Sequence, residues 1–195
     1  QALGAKIIWP ETVSLREQIE TYAEAKTIIF AEGSSVHVRQ FLGYLPQKVI
    51  VFVRRKGLEF GSEYLEPRVN EFSYVDATVA NLLFATSDNG AAMRHTCSAV
   101  LDQDVMLAQF AAQGIDLYDG WDRDAFKARH DADLIDWAED NAKAVAHMPN
   151  RFDHCLNILS ASLLAAGEMG LHIKLKAAAE RQRPPKPKPA PRKPG

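Results

Sequence analysis

The sequence predicts an α/β fold, a Rossmann-like parallel sheet followed by a helical C-terminal extension. Three observations carry that expectation. Short apolar runs rich in β-branched and aromatic residues recur at 6–9, 27–31 and 49–53. The intervals between them show apolar residues at helical spacing. Beyond residue 99 the spacing is mainly helical. Strands alternating with helices over short connections build parallel sheets.

The elements follow in order. Residues 6–9 read as a first strand, ended by Pro10, Glu11 and Thr12. Ser14-Leu15-Arg16-Glu17 has the form of a capping box. Leu15, Ile19, Tyr22 and Ala23 then give one apolar helix face, ending near Ala25. The continuous run at 27–31 reads as a strand buried on both faces. It breaks at Glu32-Gly33-Ser34-Ser35, and Val36, Val38, Phe41 and Leu42 predict a helix over 35–43. A turn at Leu45-Pro46-Gln47 leads to a third strand over 49–53, closed by Arg54-Arg55-Lys56-Gly57. Residues 57–68 read as a polar loop, 72–75 as a fourth strand, and 81–85 as a short strand or helix. Ser87-Asp88-Asn89-Gly90 is a turn signal. A helix over 99–114 stops at Gly114, a loop surrounds Trp121, and helices over 132–148 and 152–166 are separated at Pro149. The organisation is therefore a βαβαβ core over 1–80, a mainly helical remainder of the same domain over 81–180, and a tail over 181–195. That tail holds six of the ten prolines and cannot pack a core, so it is expected to be extended.

Composition excludes several classes. The net charge is −2, but the tail carries six cations and no acid, which leaves −8 on the preceding 180 residues. An acidic body argues against a nucleic-acid-binding domain. No apolar run approaches the ~20 residues of a membrane span. Cys97 and Cys155 make no disulfide framework, fit a reducing, cytoplasmic setting, and read as small buried groups. No strand is followed by Gly-x-Gly-x-x-Gly, which argues against a dinucleotide oxidoreductase. The chain opens at Gln1, which reads as a domain cut from a longer protein.

The chemistry centres on Glu32-Gly33-Ser34-Ser35. Small residues at a helix start leave backbone N–H groups free at the positive end of the helix dipole, which suits a phosphate. The alternative is an ordinary strand-to-helix turn. Gly33 allows close approach, and Ser34 and Ser35 add N–H and hydroxyl donors. Ligands of open parallel sheets sit at the carboxyl ends of strands. Three such ends are expected: Pro10-Glu11, Glu32 to Ser35, and Arg54-Arg55. Glu11 is suited to accept from a ribose, or is a solvated turn acid. Gln18 offers donors and an acceptor to a base or ribose, or lies on the surface. Glu32 orients the turn or acts as a base on a hydroxyl, with orientation favoured. His37 reaches a phosphate or sugar, or packs against the next strand. Arg54 pairs a phosphate, or is solvated. His95, His130, Asp131, Asp133, Asp136, His147 and His154 follow no metal-ligand spacing and read as caps and exposed faces. Trp121 and Trp137 read as core or interface.

Pro10-Glu11, Ser14-Leu15-x-Glu17-Gln18-Ile19, Ala23-Glu24-Ala25, Ile28-Ile29-Phe30, Glu32-Gly33-Ser34-Ser35-Val36-His37 and Arg54-Arg55 occur in an order and spacing that resembles the C-terminal part of glycosyltransferase family 61. The Glu-Gly-Ser-x-x-His form is similar to the bacterial branch tied to capsule or exopolysaccharide synthesis. The resemblance covers residues 5–56. It implies the donor-binding, C-terminal half of a GT-B fold, with a nucleotide-sugar donor, a glycan acceptor, no metal or other cofactor, and an N-terminal half supplied by another segment. It implies Glu32 and His37 as catalytic residues, and Glu11, Gln18, Gly33, Ser34, Ser35 and Arg54 as donor-binding residues. Plant and animal members usually carry His-Gly-Ala-Gly at this turn, so the role of the first motif position, Glu32 here, departs from the pattern.

Overall fold

The computed structural model describes residues 4–84 and 97–183. The expected turn at 87–90, His95 and the tail from 184 lie outside the described residues. The chain divides into two compact units, Gln1–Val79 with Leu101–Trp121, and Ala80–Val100 with Asp122–Gly195. Among the described residues no helix is long and apolar enough to cross a membrane.

The first unit is mixed α/β, built on a three-stranded, all-parallel sheet in the order β1 (Thr27–Ala31), β2 (Lys48–Phe52), β3 (Glu71–Val75). Ile28 pairs with Val49 and Val49 with Phe72, so the three strands advance in step. Helix α1 (Leu15–Glu24) starts where Ser14 Oγ accepts from the Glu17 N–H at 3.2 Å. That satisfies one orphan donor of the first turn. Tyr22 of α1 meets Phe30 of β1 edge-on at 5.3 Å. These two join Ile28, Val36, Val49, Val51, Leu65 and Val69 in one core cluster.

Four expectations are corrected here. Residues 6–9 form no strand, and lead instead into a 3-10 turn, Pro10–Thr12. Only Ile8 of this run packs on the core, while Ile7 and Trp9 are exposed. The segment is tied to α1 by Lys6 Nζ on Thr21 Oγ1 and by Gln18 on the Pro10 carbonyl. Among the described residues no strand pairs with the outer side of β1, which is an edge strand there: Ile28 and Phe30 face the core, and Ile29 is exposed. It is β2 that is buried on both faces, through Val49, Ile50 and Val51. The helix expected at 35–43 is a 3-10 helix, Ser34–Phe41, whose buried positions Val36 and Arg39 follow its three-residue period. The loop expected at 57–68 contains α2 (Ser62–Leu65) and a further 3-10 turn, Glu66–Arg68.

Helix α3 (Gln103–Ala112) completes the first unit. The apolar stretch that begins at 99 is split: Ser98–Leu101 is strand β5, paired with β4 (Thr78–Leu82), and Asp102 caps the helix by accepting from the N–H groups of Asp104 and Val105. Phe110 stacks on Phe52 at 6.0 Å, and Gln109 and Gln113 bond to Asp76 and Ser73 at the β3 strand and its exit.

The second unit is dominated by α4 (Arg123–Val145), α5 (Pro149–Ala165) and α6 (Met169–Glu180). Leu134, Ala138 and Ala142 of α4, Leu159 and Leu163 of α5, and Leu175 and Ala179 of α6 are buried. Phe84 meets Trp137 and Phe152 edge-on. Cys97 and Cys155 are buried, as expected of small apolar groups. Pro149 opens α5 at its first position, where a missing N–H costs nothing.

Candidate functional site

Within the first unit, a cleft of about 380 Å³ opens where the chain leaves β1. One wall is the Pro10-Glu11 turn with Gln18 of α1; the other is Ala31 through Ser35 with Val38. Six of the eight residues singled out from the sequence line it: Glu11, Gln18, Glu32, Gly33, Ser34 and Ser35. His37 and Arg54 do not.

Glu11 is exposed on the 3-10 turn that Gln18 holds in place. Gln18 is buried and donates from Nε2 to the carbonyls of Pro10 at 2.9 Å and Val13 at 3.3 Å. Its amide orientation is thereby set, because only the NH2 end can satisfy two carbonyls. On the facing wall, Gly33 has a φ of 164°, extended backbone open to any residue, so the fold does not require glycine there. A methyl group at Gly33 would have the Ala31 carbonyl 3.9 Å away as its nearest neighbour. That open space lies at the backbone of the cleft wall. Ser34 is exposed and Ser35 half-buried, at the start of the 3-10 helix.

Glu32 is the joint between two strand ends. Its N–H continues the β1–β2 ladder to the Phe52 carbonyl. Its side chain is fully buried, and its carboxylate accepts from the N–H groups of Arg54 at 2.8 Å and Arg55 at 2.9 Å and from Arg55 Nε. A buried carboxylate is costly unless donors and a cation compensate it, and three donors with one guanidinium do so here. Through these bonds the carboxylate fixes the cleft turn to the β2 exit. Arg54 contributes its backbone N–H to this joint.

His37 belongs to a separate aromatic group. Its ring stacks on Tyr64, with centroids 5.4 Å apart, and meets Phe60 edge-on at 5.4 Å. Arg55, held by Glu32, lies over the Phe60 ring at 5.6 Å.

Two residues that position the whole region carry no motif. Arg39 is fully buried and donates to Gln47 Oε1, and to the carbonyls of Leu42, Gly43 and Arg68, at 3.0 to 3.3 Å. Burial first, and the Arg68 charge second, lower its pKa from the usual arginine value. Gln47 Nε2 donates to the carbonyls of Tyr22 and Ala25, both at 2.6 Å. These are orphan acceptors at the α1 C-terminus. Buried polar residues amid apolar neighbours, such as Arg39 three positions after Val36, were the available signal.

Among the described residues no group of three or more His, Cys, Asp or Glu is arranged to hold a metal ion. Asp131 pairs with Lys174 at 2.6 Å and Lys127 at 3.5 Å, and Asp133 with Arg129 at 2.9 Å, so these acids serve helix-surface ion pairs. Trp121 donates from Nε1 to Gln103. Compared with family models, curated proteins and solved structures, the chain gives no significant match to any of them.

Proposed function

We propose that this chain binds a nucleotide-sugar donor, as the C-terminal half of a GT-B glycosyltransferase similar to family 61, for transfer to a glycan acceptor in capsular or exopolysaccharide synthesis. The observation that carries the reading is that a single cleft unites Glu11, Gln18, Gly33, Ser34 and Ser35. Acceptors lie on one wall and donors on the other. In this reading the N–H and hydroxyl groups of Ser34 and Ser35 take the diphosphate, and Gly33 lets it approach the backbone. Charge grows on the diphosphate oxygens as the sugar leaves, and fixed donors stabilise that charge without a metal. Glu11 and Gln18 take ribose or base hydrogens. A complementary N-terminal half brings the acceptor and its base, and a cytoplasmic setting suits the nucleotide-sugar.

A second reading, a non-catalytic nucleotide- or partner-binding module, is favoured by one observation. The Glu32 carboxylate is spent on Arg54 and Arg55, and His37 does not line the cleft. That leaves Glu11 as the only titratable cleft group with an exposed side chain among the described residues.

Thermal unfolding of the chain with UDP-, GDP-, CMP- and ADP-sugars tests both. Ligand at a hundred times Kd stabilises by about 2.7 kcal/mol. The proposal expects such a shift for one nucleotide class, lost in Ser34→Ala. Stabilisation by the bare nucleotide equal to that by its sugar conjugate favours the module. No shift with any of them removes the donor site.

A further inference from the structure

Gln47 lies in the turn before β2 and is buried. Chemistry fixes its amide orientation. Oε1 accepts from Arg39 Nε at 3.0 Å, and a guanidinium can only donate. Nε2 donates to the Tyr22 and Ala25 carbonyls, which can only accept. One side chain thus grips two elements. Tyr22 is in the last turn of α1, and Ala25 is its C-cap. Arg39 is in the second half of the 3-10 helix Ser34–Phe41. The N-terminal parts of the same two elements carry the walls of the cleft. Gln18 of α1 lines one wall and ties down Pro10, whereas Ser34, Ser35 and Val38 line the other. From Tyr22 back to Gln18 is one turn of α1, about 6 Å of axial rise. From Arg39 back to Ser35 is about 8 Å along the 3-10 helix. The two elements are therefore jaws joined at their rear by one buried amide.

We infer that Gln47 is a positioning residue for the cleft, setting the spacing between the Gln18 wall and the Ser34-Ser35 wall without lining the cleft itself. A buried polar bracket of this kind dictates geometry, because its donors and acceptors have no water to turn to when the elements shift. The identity of the ligand that spans the walls rests on the donor-binding reading above; the spacing does not.

The test uses Gln47→Glu in the whole chain. A carboxylate still accepts from Arg39 but gives no donor to the α1 carbonyls. Spin labels at Thr12→Cys and Ser34→Cys, one exposed site on each wall, report the spacing by pulsed electron paramagnetic resonance. Cys97 and Cys155 are buried and do not compete for label. The distance is expected to be narrow with Gln47, and longer and broader with Gln47→Glu. In unlabelled chains, nucleotide-sugar affinity is expected to fall about tenfold in Gln47→Glu, the worth of roughly one misplaced hydrogen bond. Thr78→Val is the control: it removes a buried hydroxyl bonded to the Val53 carbonyl in the same unit. It is expected to lower the melting temperature and leave spacing and affinity alone. Should Gln47→Glu not fold, Gln47→Asn, which keeps the amide and shortens its reach, is measured in its place. An unchanged spacing, a widened spacing with unaltered affinity, or an equal change in Thr78→Val overturns the inference. A spacing that widens in a chain that binds no nucleotide-sugar rejects the donor reading and keeps Gln47 as the residue that sets the walls.

Discussion

The two units are held together by different means. Gln18, Glu32, Arg39, Gln47 and Thr78, the buried polar side chains among the described residues, all belong to the first unit. The buried residues of the second unit are apolar, and its charges pair on helix surfaces, as in Lys174 with Asp131 and Arg183 with Asp153. Apolar packing is non-directional, so a helical bundle tolerates adjustment. A buried polar network holds only when every donor meets its acceptor, so it dictates geometry. In the first unit that geometry is spent where the chain leaves its strands: Gln47 closes the end of α1, Arg39 anchors the 3-10 helix, and Glu32 ties the cleft turn to the β2 exit. The lesson is that the first unit is built for placement and the second for cohesion.

The sharpest way to break this comparison is Arg39→Met. The apolar chain fills the space but leaves Gln47 Oε1 and the Leu42, Gly43 and Arg68 carbonyls without their donor. A loss of about 3–5 kcal/mol in urea unfolding is expected. Leu159→Ala in the second unit, a fully buried truncation, is expected to cost about 2–5 kcal/mol. If Arg39→Met costs less than ~1 kcal/mol while Leu159→Ala costs its full amount, the polar network is dispensable and the contrast fails.

Glu32→Gln comes next. It keeps one acceptor oxygen but removes the charge facing Arg55, and turns an NH2 toward N–H donors. About 2–3 kcal/mol of stability should be lost, with no nucleotide-sugar present. A variant as stable as the wild type would show that Glu32 is not an orienting group and would favour its alternative role as a base.

The second unit has its own sensitive point, which pH reveals. His130 packs on Phe126 at 5.7 Å, and burial lowers its pKa below 6.5 despite the opposing pull of Asp131, Asp133 and Glu168. The unfolded chain therefore binds that proton more readily than the folded one. Stability falls as pH drops through about 6.5 and continues to fall down to the folded pKa. Asp131 behaves differently: burial raises its pKa, but Lys174 and Lys127 together hold it below 3.8. Its contribution is intact above about pH 4 and is lost only as pH falls through the folded value. Melting temperatures measured from pH 7 to 5 should decline in the wild type and flatten in His130→Gln. An equal decline in both would assign the acid sensitivity to another group.

Much of the cleft was legible in sequence because its residues are local. Glu32 to Ser35 form one turn, Ser14 caps one helix, and both can be read within a few positions. The parallel strands at 27–31, 49–53 and 72–75 were legible for the same reason, since a compact apolar run is a local signal. What escaped depends on distant partners. Gln47 bonds to residues 22, 25 and 39, so its role appears only when the chain has folded back on itself. Residues 6–9 look like a strand by composition, but among the described residues no strand pairs with them. Helix α6 lies beyond the helices expected from sequence, although Leu171, Leu175, Ala178 and Ala179 recur at four, three and one. Its signal sits just past Gly167, whose φ of 77° ends the preceding helix and reads locally as a stop.

The smallest expected effect separates fold from ligand most cleanly, and it comes from two glycines. Gly61 has a φ of 96°, and an added Cβ would lie 3.3 Å from both Leu65 Cδ1 and the Tyr64 hydroxyl. Gly61→Ala should therefore cost about 1–2 kcal/mol, because backbone conformation and space both oppose it. Gly33 has extended backbone and nothing nearer than 3.9 Å. Gly33→Ala should change stability by no more than about 0.5 kcal/mol, since the fold asks nothing of that position. If the donor-binding reading holds, a methyl group there would crowd a phosphate drawn to the Ser34 and Ser35 N–H groups. The two melting curves and one nucleotide-sugar titration decide the matter. An unchanged fold with weakened binding places the ligand against Gly33, whereas unchanged binding means that the turn serves the protein alone.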